Sequence, residues 1–98
     1  MKTIDINSKE WFDRVNGNSY FSAIVTIDYG MKTEKSFKLP FQYGYGDHYI
    51  DQAKVLLFEK GYFKENDVMW RLCRENNIIL RTNKQENCKK KEVENFIL

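Results

Sequence analysis

One proline, one histidine and two cysteines are scarce in a chain of 98 residues, and each scarcity closes off a class of function. A lone His48 with the distant Cys73 and Cys88 does not supply the clustered nitrogen and sulfur ligands that zinc requires. Two cysteines are also too few for the disulfide framework that staples small secreted domains, so reduced thiols in a cytosol are expected. No apolar run approaches the roughly 18 residues of a membrane-spanning helix. The opening Met1-Lys2-Thr3-Ile4-Asp5 runs into polar residues without the apolar segment of a secretory signal. Excess charge is missing as well: 16 Lys and Arg face 14 Asp and Glu, a net charge of +2. That is far from the dense basic face that would by itself indicate nucleic acid. The expectation is a cytoplasmic protein with no membrane partner, no cofactor and no bound metal.

What the sequence does have is aromatic side chains. Seven Phe, six Tyr and two Trp make up 15% of the chain, and hydrophobic residues make up 42%. Each aromatic ring can bury on the order of 150–250 Å², so a few suffice for a small core. One compact domain over residues 1–98 is expected, with some rings left over for the surface.

Periodicity then assigns the elements. Ile4 and Ile6 alternate as a strand stub or a docking arm would, and then Asn7 or Ser8 reads as the cap of a short helix, with Glu10 three residues after Asn7 as in a capping box. Trp11, Phe12 and Val15 would form its apolar stripe, and Gly17 would stop it. From Tyr20 to Tyr29, Phe21, Ala23, Val25, Ile27 and Tyr29 alternate with Ser22, Ile24, Thr26 and Asp28, the period of two of a half-buried strand. Phe37, Leu39 and Phe41 predict a second strand returning antiparallel, with Pro40 placing it at a sheet edge. Asp47 is the expected cap of a helix running to about Lys60, with Tyr49 or Ile50, Ala53, Leu56 and Leu57 inward and Gly61 as its stop. Asn66 or Asp67 caps the next helix, with Val68, Met69, Leu72 and Cys73 inward, ending at Asn76-Asn77. Ile78-Ile79-Leu80 predicts a third strand, and Asn83 to Leu98 a polar helical tail anchored by Val93, Phe96 and Ile97. The fold expected is α+β: a small antiparallel sheet of about three strands packed with helices, in the order α-β-β-α-α-β-α.

The segment least explained by folding is Gln42-Tyr43-Gly44-Tyr45-Gly46-Asp47-His48-Tyr49. Its glycines permit unusual backbone angles or close approach, and its tyrosines offer ring faces with polar tips. Tyr49 stands where a dinucleotide fingerprint has its third glycine, no Walker lysine follows, and Asp47 would repel an anion at the helix start. The segment therefore reads either as a locally packed capped turn or as a binding surface of Tyr43, Tyr45, Asp47, His48 and Tyr49. His48 and Asp51 share a helix face suited to orienting an imidazole, but no nucleophile accompanies them, so no catalytic residue is assigned and no enzyme is expected. Lys84, Lys89, Lys90 and Lys91 form a local basic patch, interrupted by Glu86, Glu92 and Glu94. Cys88 lies among these lysines, and Cys73 lies on an apolar helix face.

Asn18-Ser19-Tyr20-Phe21-Ser22-Ala23, Leu39 to Tyr49, and Thr82-Asn83-Lys84-Gln85-Glu86-Asn87-Cys88 carry a resemblance. In these segments the chain resembles a group of small uncharacterised proteins encoded by phages and prophages. No catalytic motif defines the group. The resemblance implies a viral or mobile-element origin and, by analogy with anti-CRISPR and other anti-defence proteins, a partner in a host or phage protein complex. The function expected is non-enzymatic binding that modulates or inhibits such a complex in the cytoplasm of the bacterial host. The alternative is a nucleic-acid-binding accessory protein, with the loop tyrosines on bases and the basic C-terminal helix on phosphates. Monomer and homodimer are both left open.

Overall fold

A computed structural model describes residues 1–96 and shows an α+β fold in the order β-β-β-α-α-β-α. Strands β1 (Thr3–Asp13), β2 (Asn18–Ile27) and β3 (Lys35–Tyr43) precede helices α1 (His48–Glu59) and α2 (Met69–Glu75). Strand β4 (Ile79–Gln85) and the short helix α3 (Lys90–Glu94) complete the chain. The four strands form one mixed sheet in the order β3-β2-β1-β4, antiparallel except that β4 runs parallel to β1.

The first element corrects the sequence reading. Residues 3–13 are a strand, so no N-terminal helix forms. Ile4, Ile6 and Ser8 are buried on one face and alternate with the half-buried Asp5, Asn7 and Lys9. This period of two outweighs the short helical stripe. The presumed helix stop, Gly17, closes a hairpin turn instead. Its N–H donates to the Asp13 carbonyl at 2.7 Å, and its φ of +69° is the left-handed conformation also found at helix ends. The Asp13 carboxylate accepts the Asn16 side-chain amide at 2.8 Å and the backbone N–H groups of Val15 and Asn16, and these bonds, the side-chain amide foremost, hold its pKa below the usual value. Val15, expected inward, is 91% exposed.

Strand β2 is the centre of the core. Phe21, Ala23, Val25 and Ile27 face Ile4, Ile6 and Leu39 from the sheet and Tyr49, Ala53, Leu57, Met69, Leu72 and Cys73 from α1 and α2. Full burial of side chains such as Ile4 and Leu57 stabilises the fold by roughly 1.5–3 kcal/mol each. β2 ends at Ile27, short of the expected Tyr29, because Asp28 turns the chain at φ +51°. Pro40 does lie on an edge strand, and the register explains how it is tolerated. Ala23 pairs with Leu39 but Phe21 pairs with Gln42, so β3 carries an extra residue beside Pro40. That bulge turns Phe41 away from the helices, correcting its expected alignment with Phe37 and Leu39.

The tail differs too. Only Lys90–Glu94 is helical, and α3 packs on the sheet face opposite α1 and α2. Ser22 Oγ donates to the Val93 carbonyl at 2.6 Å, with both residues fully buried. Phe96 lies under the Lys9 ammonium, 4.8 Å from its ring centre, while the expected anchor Ile97 lies outside the described residues. No helix of the described residues is long and apolar enough to cross a membrane.

Candidate functional site

The segment from Tyr43 to Tyr49 leaves the bulged end of β3 and enters α1. Four contacts fix its path. The Gly44 N–H donates to the Ser19 carbonyl at 3.1 Å, and the His48 N–H donates to the Tyr45 carbonyl at 3.2 Å. Lys84 Nζ reaches the Gly46 carbonyl at 3.1 Å. Gly44 itself sits between two rings: a Cβ there would lie 2.5 Å from His48 Cδ2 and 2.6 Å from Phe21 Cε1. Carbon atoms in contact normally keep about 3.5–4.0 Å apart, so this position demands glycine for space. Gly46 has open space around it and a φ of +61°, so it supplies backbone freedom. The two properties weighed for these glycines belong one to each.

The candidate residues separate accordingly. Tyr43, Tyr45 and Asp47 are exposed, the two tyrosines by 57% and 70%. His48 is half-buried and edge-on to Phe21, with ring centres 5.9 Å apart, and Tyr49 is buried in the core. His48 and Tyr49 therefore seat the segment, while Tyr43 and Tyr45 face outward. Asp47 holds the position before α1, but its carboxylate makes no capping hydrogen bond, contrary to expectation. Tyr43, Gly44, Tyr45, Asp47, His48 and Asp51 line a shallow depression. Among the described residues no hydrogen bond joins His48 to Asp51, and no three His, Cys, Asp or Glu side chains gather as a metal site would need.

Tyr43 also extends an aromatic group that sequence reasoning missed. Trp11, Tyr20 and Phe41 meet on the face opposite α1 and α2, with ring centres 5.1–6.3 Å apart, and Tyr43 packs edge-on to Tyr20 at 5.9 Å. The three rings stand on adjacent strands, and the β3 bulge brings Phe41 into place. The signal was available in the alternation of β1, which puts Trp11 on the same face as Lys9 and opposite Tyr20 across the hairpin.

The lysines do not act as one patch. Lys84 is half-buried, 3.6 Å from Glu10 and 3.5 Å from Glu86, and it pins the loop to β4. Lys89, Lys90 and Lys91 are exposed, with the Lys90 ammonium 5.6 Å from the Trp11 ring centre. The Lys89 N–H is capped by the Glu92 carboxylate at 3.1 Å. Cys88 is buried beside them. Its N–H donates to the Glu10 carbonyl at 3.0 Å, and burial raises its thiol pKa despite the Lys9 ammonium nearby. Burial likewise pushes Cys73 up to about 11, so neither thiol is prepared as a nucleophile.

Comparison with protein-family models, curated proteins and solved structures finds no match to this chain.

Proposed function

We propose that this chain is a non-enzymatic binding protein of phage or mobile-element origin. It docks on a host or phage protein complex in the bacterial cytoplasm and modulates or inhibits it. One observation carries this reading: Tyr43 and Tyr45 stand exposed on a segment whose backbone is held at four points. A tyrosine presented from a fixed backbone loses little conformational entropy on binding, which is what makes such side chains effective anchors. Anchor residues of this type lose about 2 kcal/mol or more on truncation to alanine, close to a thirtyfold change in affinity.

The test compares tagged wild-type protein with the Tyr43→Ala/Tyr45→Ala double variant as bait in bacterial lysate, with and without nuclease. A stoichiometric protein that survives nuclease and is lost with the double variant supports the reading. Capture that is unchanged in the double variant contradicts it.

A second reading, single-stranded nucleic acid, is favoured by the approach of Lys90 to Trp11, which brings the basic helix beside the aromatic group. Two features weigh against it. Trp11, Tyr20 and Phe41 spend ring surface on one another, and Lys84 is engaged within the chain. Three exposed lysines, Lys89 to Lys91, would give affinity falling with about the second power of salt concentration, since each neutralised phosphate contributes roughly 0.7 to the slope. A salt titration with a labelled oligonucleotide separates the two readings.

A further inference from the structure

We propose that β4 is an association edge, and that its occupant is β4 of a second copy of this chain. The Ile79 N–H donates to the Lys2 carbonyl at 3.0 Å, which sets the phase of the parallel ladder. In such a ladder alternate residues aim both backbone groups at the neighbouring strand, so Ile79, Arg81, Asn83 and Gln85 face β1. Leu80, Thr82 and Lys84 then direct their N–H and C=O groups outward, and among the described residues no strand pairs with them. An edge of this kind is a template for another strand unless something blunts it.

The opposite edge is blunted. β3 carries Pro40, a bulge, and the exposed Lys35 and Lys38. β4 has neither proline nor bulge, and both of its cations are neutralised within the chain. Arg81 Nε lies 2.7 Å from the Asp5 carboxylate, and Lys84 is held by Glu10 and the Gly46 carbonyl.

The strand is also complementary to itself. Antiparallel pairing about a two-fold axis through Thr82 sets Leu80 of one copy opposite Lys84 of the other, and Thr82 opposite Thr82. It sets Arg81 opposite Asn83 and Ile79 opposite Gln85. No like charges meet, and a threonine pair at the centre is a favourable cross-strand combination. All three outward residues of each copy become hydrogen-bonded pairs, and the two four-stranded sheets join into one. Ile79, 61% exposed in the single chain, gains cover.

Sedimentation velocity over a wide concentration range tests this on the whole protein, with Thr82→Pro and Thr82→Lys beside it. The Thr82 N–H takes no part in the β1–β4 ladder, so proline there removes only bonds between copies. Lysine at the same position puts two cations opposite each other. The expected result is a reversible dimer in the wild type, with association weakened at least tenfold in both variants and their circular dichroism unchanged. A wild-type monomer at all concentrations, or a dimer that persists in folded Thr82→Lys, overturns the proposal. If Thr82→Pro fails to fold, the lysine variant alone decides.

Discussion

Replacing Gly44 with alanine should damage this protein more than replacing Gly46, although Gly46 has the more unusual backbone. A methyl group on Gly44 would come within 2.5 Å of His48 Cδ2 and 2.6 Å of Phe21 Cε1. Phe21 is 2% exposed and belongs to the central cluster, so it cannot move without disturbing its neighbours. His48, half-buried at the start of α1, can yield only by turning its ring out of its edge-on contact with Phe21 or by shifting the first turn of the helix. Overpacking of this kind costs roughly 1–3 kcal/mol. Taking about 2 kcal/mol, the melting temperature of a domain this size should fall by about 8–16 °C. At Gly46, where φ is +61° and no atom lies within 4 Å, the cost is the left-handed strain alone. That strain is about 1–2 kcal/mol, with its lower end expected in a loop free to relax. Thermal denaturation followed by circular dichroism reads both variants. A Gly44→Ala protein as stable as wild type, or more stable than Gly46→Ala, would refute the assignment of Gly44 as a packing position.

Two further outcomes follow from buried polar contacts. Asp28 accepts the Lys2 N–H at 2.6 Å, the Thr33 hydroxyl at 2.8 Å and the Thr3 N–H at 3.2 Å, and these bonds hold its carboxyl below the usual range, the Lys2 contact foremost. Because the folded pKa is depressed, the stabilisation is present above the unfolded value of about 3.9 and disappears as pH falls through the folded value. Asp28→Ala should cost about 3 kcal/mol at neutral pH, and Asp28→Asn less, with urea midpoints at several pH values showing a weaker acid-side decline in both. Ser22→Ala removes the donor to the Val93 carbonyl and should cost about 1 kcal/mol. Hydrogen exchange should then speed up in α3 while β2 stays protected, and uniform loss across the sheet would argue against a local anchor.

What was legible in the sequence follows from how local each signal is. The strand around Phe21 to Ile27, the helix from His48 with its stop at Gly61, and the turn at Asn77 each rest on neighbouring residues, and each is present. β1 was misread because its turn uses the same left-handed glycine as a helix end, so Gly17 carries two meanings that only the partner strand resolves. The parallel placement of β4 beside β1 joins residues more than seventy positions apart, and no local pattern encodes it. The candidate site was legible as a segment, since tyrosine and glycine are concentrated there. The division of labour within it was not. That Gly44 serves packing, that Lys84 is a pin, and that Phe41 joins Trp11 and Tyr20 all depend on a bulge and on contacts across the sheet.

Tyr43 and Tyr45 are proposed as the anchors of a protein-binding surface. The most direct test is quantitative capture from nuclease-treated lysate by the wild type and by the Tyr43→Ala/Tyr45→Ala variant, with thermal denaturation run alongside. The variant is expected to melt close to wild type, because both side chains are largely exposed, and no longer to retain the protein partner. A folded variant that still captures the same partner at the same yield would contradict it.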